Sequence, residues 1–71
     1  MMTEHEVRDG TVVEFDEHVG LGRISSVDEE FLFHCVELLD GSRLVSVGTR
    51  VRFLPVTRFG HREASAVEKL T

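Results

Sequence analysis

The chain has 71 residues, 41% of them hydrophobic and 30% charged, and a formal net charge of −5. That length makes one domain with a small core and marginal stability, leaves no room for a separate substrate domain, and the composition is globular rather than disordered. No apolar run approaches the roughly 20 residues that cross a bilayer, so no membrane partner is expected.

The acidic balance argues against a general polyanion binder, because affinity for nucleic acid is largely driven by cations. The charge is unevenly divided, however: residues 1–30 hold nine acids against two bases, and residues 31–71 four acids against six bases. Such a division fits one cationic side, or charge kept only for solubility. The opening Met1-Met2-Thr3-Glu4-His5-Glu6 lacks the basic flank of a secretory signal, and a single cysteine cannot form an internal disulfide. Both point to a reducing cytoplasm.

In chain order, residues 1–8 read as a polar tail with no reason to be ordered, and residues 9–71 as the folded domain. Gly10-Thr11-Val12-Val13-Glu14-Phe15-Asp16 is rich in β-branched and aromatic types and makes a first strand. Val12, Val13 and Phe15 cannot share one face under strict alternation, so a bend or bulge is expected there. A second strand follows over Val19-Gly20-Leu21-Gly22-Arg23-Ile24. It is joined through a turn at Asp28-Glu29-Glu30 to a third, Phe31-Leu32-Phe33-His34-Cys35. With Ile24, Phe31 and Phe33 inward, the outward set is Leu21, Arg23, Leu32 and His34.

Residues 36–48 form the longest connection, with a single helical turn near Val36–Leu39 and a turn at Asp40-Gly41. Thr49–Leu54 alternates cleanly, Val51 and Phe53 inward and Arg50 and Arg52 outward, and Pro55 places its strand at an edge or a bulge. Phe59-Gly60-His61 turns the chain, and Ala64-Ser65-Ala66-Val67 closes it as a strand of small residues. Five short strands and no helix of ordinary length predict an all-β fold, and a closed barrel is the natural way to hide strand edges. Val12, Ile24, Phe31, Phe33, Val51, Phe53 and Val67 are its expected core.

This order of signals resembles the bacterial cold-shock domain, whose fold is a five-stranded antiparallel barrel of the oligonucleotide-binding (OB) type. The family's opening Gly-x-Val-Lys-Trp-Phe-Asn is similar to Gly10–Asp16, its Lys-Gly-Phe-Gly-Phe-Ile motif to Val19–Ile24, and its Val-Phe-Val-His-Phe motif to Phe31–Cys35. The family's Glu-Gly-x-x-Val-x-Phe resembles Val47–Phe53, and its Ala-x-x-Val resembles Ala64–Val67. The resemblance implies binding of single-stranded RNA or DNA, of a regulatory or RNA-chaperone kind. The family's aromatic platform falls on Glu14, Leu21, Arg23, Leu32, His34, Cys35 and a loop position near Ser42, where only His34 is aromatic. Its motif lysines are replaced by Val13 and Val19. Each stacked base is worth roughly 1–3 kcal/mol, so weak binding is expected.

The candidate binding residues are Leu21, Arg23, Leu32, His34, Arg58, Phe59 and Arg62. Arg23 either stacks on a base and contacts phosphate, or is a solvated strand arginine paired with Glu14 or Glu29. His34 matches the family's stacking histidine. Leu21 and Leu32 are either a patch for a protein partner or self-association, or two separately exposed leucines. In Arg58-Phe59-Gly60-His61-Arg62, two arginines flank an aromatic, and Phe59 is either a stacking platform or a cover for the barrel end.

No enzyme, metal or cofactor is expected. His34 and Cys35 are strand neighbours on opposite faces and cannot act together as base and nucleophile. His5, His18 and His61 have no spaced partner for zinc, and Gly20-Leu21-Gly22 lacks the third glycine of a dinucleotide site. Asp28-Glu29-Glu30 reads as a solvated charge cluster, at most a loose divalent-ion site. Two functions remain open, a weak single-stranded nucleic-acid binder and a protein-interaction module that keeps the barrel.

Overall fold

The computed structural model describes residues 6–71. Five strands follow in order, β1 (Arg8–Asp16), β2 (Leu21–Ser26), β3 (Glu29–His34), β4 (Arg50–Arg58) and β5 (His61–Lys69), with a single 3-10 turn over Cys35–Glu37. Of the expected polar tail, residues 1–5 lie outside the described residues, and Arg8 opens β1. The strands close into a barrel in the order β1-β2-β3-β5-β4.

Strand directions cannot alternate all the way round a ring of five. Four of the neighbouring pairs are antiparallel, and the closing pair, β3 with β5, is parallel through Leu32 and Glu63. The expected antiparallel barrel is therefore antiparallel everywhere but at one seam.

The seven expected core side chains are at most 1% exposed. Burying so many large apolar groups, each worth about 1.5–3 kcal/mol, is what holds a chain of this size together. Phe31 and Phe53 pack with ring centroids 4.9 Å apart, and Phe15 stacks on Phe33 at 6.0 Å. Leu38 and Ala64 complete the core. Leu38 follows the 3-10 turn and bridges to Val67, while Glu37 Oε1 accepts hydrogen bonds from Ser65 Oγ and the Ala66 amide, both at 3.0 Å. These contacts pin the long connection against β5.

The conflict among Val12, Val13 and Phe15 is resolved by a bulge. Val12 pairs with Ile24, but Glu14 pairs with Arg23, so Val13 is an extra, exposed residue. Gly22 follows on β2, where a Cβ would lie 2.6 Å from the Phe33 ring and 2.7 Å from the Glu14 carbonyl oxygen. Only a glycine lets β1 and β3 approach β2 this closely.

Several boundaries differ from expectation: β2 begins at Leu21 rather than Val19, Cys35 leaves β3 for the 3-10 turn, and β1 and β5 are longer than expected. The β2–β3 turn is Val27-Asp28, with Glu29 and Glu30 already paired to Ser26 and Ser25 in β3. Acidic residues read as a turn by composition, but here arginines hold them in a strand. β4 runs on past Leu54 to Arg58, and Pro55 within it pairs with Ala64 where β1, which begins opposite Phe53, no longer covers β4, the open edge expected of a proline. Finally, β4 and β5 run on to a two-residue turn, Phe59-Gly60, with φ of 52° and 80°. Positive φ at both central residues is the mirror-image geometry that suits the twist of a hairpin.

Candidate nucleic-acid interface

The cross-strand register lays one row of outward side chains across four strands, Glu14 on β1, Arg23 on β2, Leu32 on β3 and Glu63 on β5. A second row, Asp16, Leu21 and His34, runs beside it. Period-two alternation below the bulge puts all of these on the outer face, and Leu21, Arg23, Leu32 and His34 are all exposed. Cys35 is different: it is half-buried and packs against the core.

Arg23 is held from two sides. Its Nε donates to Glu14 Oε1 at 2.7 Å, its NH2 nitrogen faces the same oxygen, and NH1 reaches Glu30 Oε1 at 3.4 Å. The Glu14 carboxylate, hydrogen-bonded to the guanidinium, raises the pKa of Arg23 above its ordinary value. Of the two carboxylates expected beside Arg23, Glu14 is in place. Glu29 is not, because it accepts from Arg62 Nε at 2.6 Å and from Arg8 NH1 at 3.1 Å. Those two guanidiniums each lie 5.2 Å from the centroid of the Phe31 ring, so Arg8, Glu29 and Arg62 cover one end of the barrel. The Arg62 hydrogen bond, with help from Arg8, holds the Glu29 carboxyl below its ordinary pKa.

The β4–β5 tip separates the two arginines that the sequence groups together. Arg58 pairs with His61 and Thr57 with Arg62, so Arg58 and Arg62 leave opposite faces of the hairpin. Arg58 pairs with Glu63 at 3.1 Å on the outer face, and Arg62 also donates to Thr57 Oγ1 at 3.0 Å. Phe59 is 98% exposed. It covers no part of the barrel end, and its ring is open to a ligand. A shallow cleft of about 360 Å³ between the tip and the sheet is lined by Arg23, Glu30, Leu32, Gly60, His61 and Arg62. Across Arg23 a second cleft, of about 240 Å³, includes Glu14, Val19, Leu21 and Leu32.

No family model matches the chain, and no curated protein matches it. Among solved structures, Drosophila Unr CSD456 is similar, with a TM-score of 0.79 and 23% sequence identity over 94% of this chain. The fold is that of a cold-shock domain. The chain spans 28% of the Unr chain it matches, so the likeness concerns one domain of a longer protein.

Relative to the aromatic platform implied for cold-shock domains, this chain's outer face is aliphatic and ionic. It holds two leucines, one histidine and an Arg23 clasped by two glutamates, beside a protruding phenylalanine. Sequence reasoning missed Glu30 and Glu63 as parts of this surface, and included His61 only as a member of the Arg58–Arg62 loop. The signal that finds them is register: a bulge at Val13 sets Glu14 against Arg23, and a two-residue turn at Phe59-Gly60 turns His61 outward. Among the described residues, no group of three or more His, Cys, Asp or Glu side chains is placed to hold a metal ion. The glutamates of the acidic stretch are instead held by arginines.

Proposed function

We propose that this chain is a nucleic-acid-binding module that holds single-stranded RNA or DNA weakly across the outer face of β1–β3 and the β4–β5 tip. The observation that carries the reading is the exposed patch of Leu21, Arg23, Leu32 and His34, with the open ring of Phe59 at the β4–β5 tip, on a cold-shock fold. Base stacking tolerates any sequence because every base has a π-face, and His34, Phe59 and the Arg23 plane are the groups available for it. Weakness follows from charge. Arg23, Arg58 and Arg62 each face a carboxylate, so phosphate must compete with Glu14, Glu63 and Glu29.

The test is a chemical-shift titration with oligothymidine and oligouridine at low and moderate salt. Shifts clustered at residues 21–23, 32–34 and 58–61 are expected, with His34→Ala weakening binding and Arg58→Ala weakening it equally for all sequences. No shifts at millimolar ligand would overturn the proposal. A second reading rests on the cleft where Val19, Leu21 and Leu32 meet, a small apolar surface suited to a protein partner or a second copy. In that case Leu21→Asp with Leu32→Asp abolishes association and oligonucleotides leave the spectrum unchanged.

A further inference from the structure

The β4–β5 tip and the cleft at Val19, Leu21 and Leu32 lie on either side of Arg23, with Arg23 and Leu32 lining both this cleft and the one beside the tip. Phe59 stands out from the tip 98% exposed, with φ of 52°, a conformation that asparagine and glycine adopt with ease and a bulky side chain only under strain. A large apolar group held there gains nothing within its own barrel, and strain of this kind collects where a surface is used. The cleft has the complementary shape. It measures about 240 Å³, and Val19, Leu21 and Leu32 are all exposed in it. An aliphatic cavity of about 150 Å³ is room enough for benzene. The charges are complementary as well. Glu14 and Asp16 line the cleft, and the Asp16 carboxylate accepts from the His18 amide at 2.9 Å with no ion pair among the described residues. Arg58 and His61 are paired at the base of the turn that carries Phe59, and Arg58 stays half exposed beside Glu63.

We propose that two copies of this chain form a closed dimer in which Phe59 of each enters the Val19, Leu21 and Leu32 cleft of the other. Knob and cleft share one face, so a two-fold axis lying in the interface and passing over Arg23 exchanges them. Each copy then gives one ring and receives one, and no knob is left over for a third copy. Arg58 and His61 of one copy meet the acidic rim at Asp16 of the other, which orients the pair as well as attracting it. The charge of Arg23 is covered by Glu14 and Glu30, so the axis does not bring two uncompensated guanidiniums together. The consequence for function rests on the nucleic-acid reading above. The dimer buries Leu21, Leu32 and Phe59, so a second copy and a single strand compete for the same face, and the concentrated free protein keeps that face closed.

The experiment is sedimentation equilibrium of the full chain from roughly 10 μM to 1 mM, with Phe59→Ala, which lacks the knob, and Leu21→Asp, which spoils the cleft, each checked for fold by circular dichroism. The parent chain is expected to dimerise and go no further, and each variant alone to associate at least about tenfold more weakly. An equimolar mixture of the two variants is decisive, because the knob of Leu21→Asp fits the cleft of Phe59→Ala and one of the two contacts returns. The mixture should therefore associate more strongly than either variant does alone. Oligothymidine added to the parent should convert the dimer to a monomeric complex. A parent chain that is monomeric throughout, variants that associate as the parent does, or a mixture no stronger than its parts overturns the dimer. Oligothymidine that binds without dissociating the dimer overturns the shared face. A dimer to which oligothymidine does not bind at all overturns the nucleic-acid reading and leaves the dimer standing.

Discussion

Gly22 offers a test of how the outer face is supported from within. A Cβ built there meets Phe33 Cε1 and Cζ at 2.6 Å and the Glu14 carbonyl oxygen at 2.7 Å. These distances are well inside contact, and one obstacle is backbone, so Gly22→Ala must move either the Phe33 ring or β1. Overpacking of this kind costs about 1–3 kcal/mol. For a domain of this size each kcal/mol lowers Tm by roughly 4–8 °C. The ring's share can be isolated with Phe33→Leu, which deletes the two ring atoms in the way. In that background Gly22→Ala should cost less by at least about 0.5 kcal/mol, the coupling expected of residues in direct contact. Rescue is partial, because the Glu14 carbonyl stays. Urea unfolding followed by far-UV circular dichroism gives all four stabilities in a chain without Trp or Tyr. Equal costs in both backgrounds would refute the close approach of β2 to Phe33.

Two further outcomes follow from local geometry. The Lys69 ammonium beside Asp40, with the Ser42 amide, holds the Asp40 carboxyl at about 2, below its ordinary 3.8. A depressed folded pKa stabilises fully above the unfolded value and is lost as pH falls through the folded one. The urea midpoint of the parent chain should therefore fall more steeply than that of Asp40→Asn between about pH 4 and pH 2, and parallel curves would refute the pair. Val27, 91% exposed with φ of 55°, sits where a β-branched residue is strained. Val27→Gly should raise the free energy of unfolding, and with it the urea midpoint, by about 0.5–1 kcal/mol of stability, the αL relief of roughly 1–2 kcal/mol less the entropy glycine adds to the unfolded chain; a lowered midpoint would contradict this.

The core was legible because branched and aromatic residues at period two leave one face to bury, and Val12, Ile24, Phe31, Phe33, Val51, Phe53 and Val67 are all buried. Leu38 was not, since it buries from a segment with no strand period to betray it. The same split runs through the candidate site. Alternation alone places Leu21, Arg23, Leu32 and His34 outward, but which carboxylate meets which arginine is a question of register. One extra residue at Val13 sets Glu14 on Arg23, and the start of β3 at Glu29 sends that glutamate to Arg8 and Arg62 while Glu30 faces Arg23. Turn length decides the rest. A three-residue turn after Arg58 would have put Arg58 and Arg62 on one side, whereas the two-residue turn sends Arg62 over Phe31.

The parallel seam between β3 and β5 also bears on where the barrel opens. The β2–β3 and β4–β5 hairpins close through two-residue turns, and such hairpins form in about 1–10 μs. The seam joins Leu32 to Glu63 by a single strand pair and cannot form until the chain between them has been drawn into a loop. With one register pair, against four or more between every other two neighbours, it is the most thinly held join of the barrel, so amides along it should exchange by local opening while those of β2 wait for global unfolding. The outer face straddles that join, with Arg23, Leu32 and His34 on one half of the barrel and Arg58, Phe59 and Glu63 on the other. Any ligand laid across it would act as a staple, slowing exchange along the seam far more than in the strands it touches.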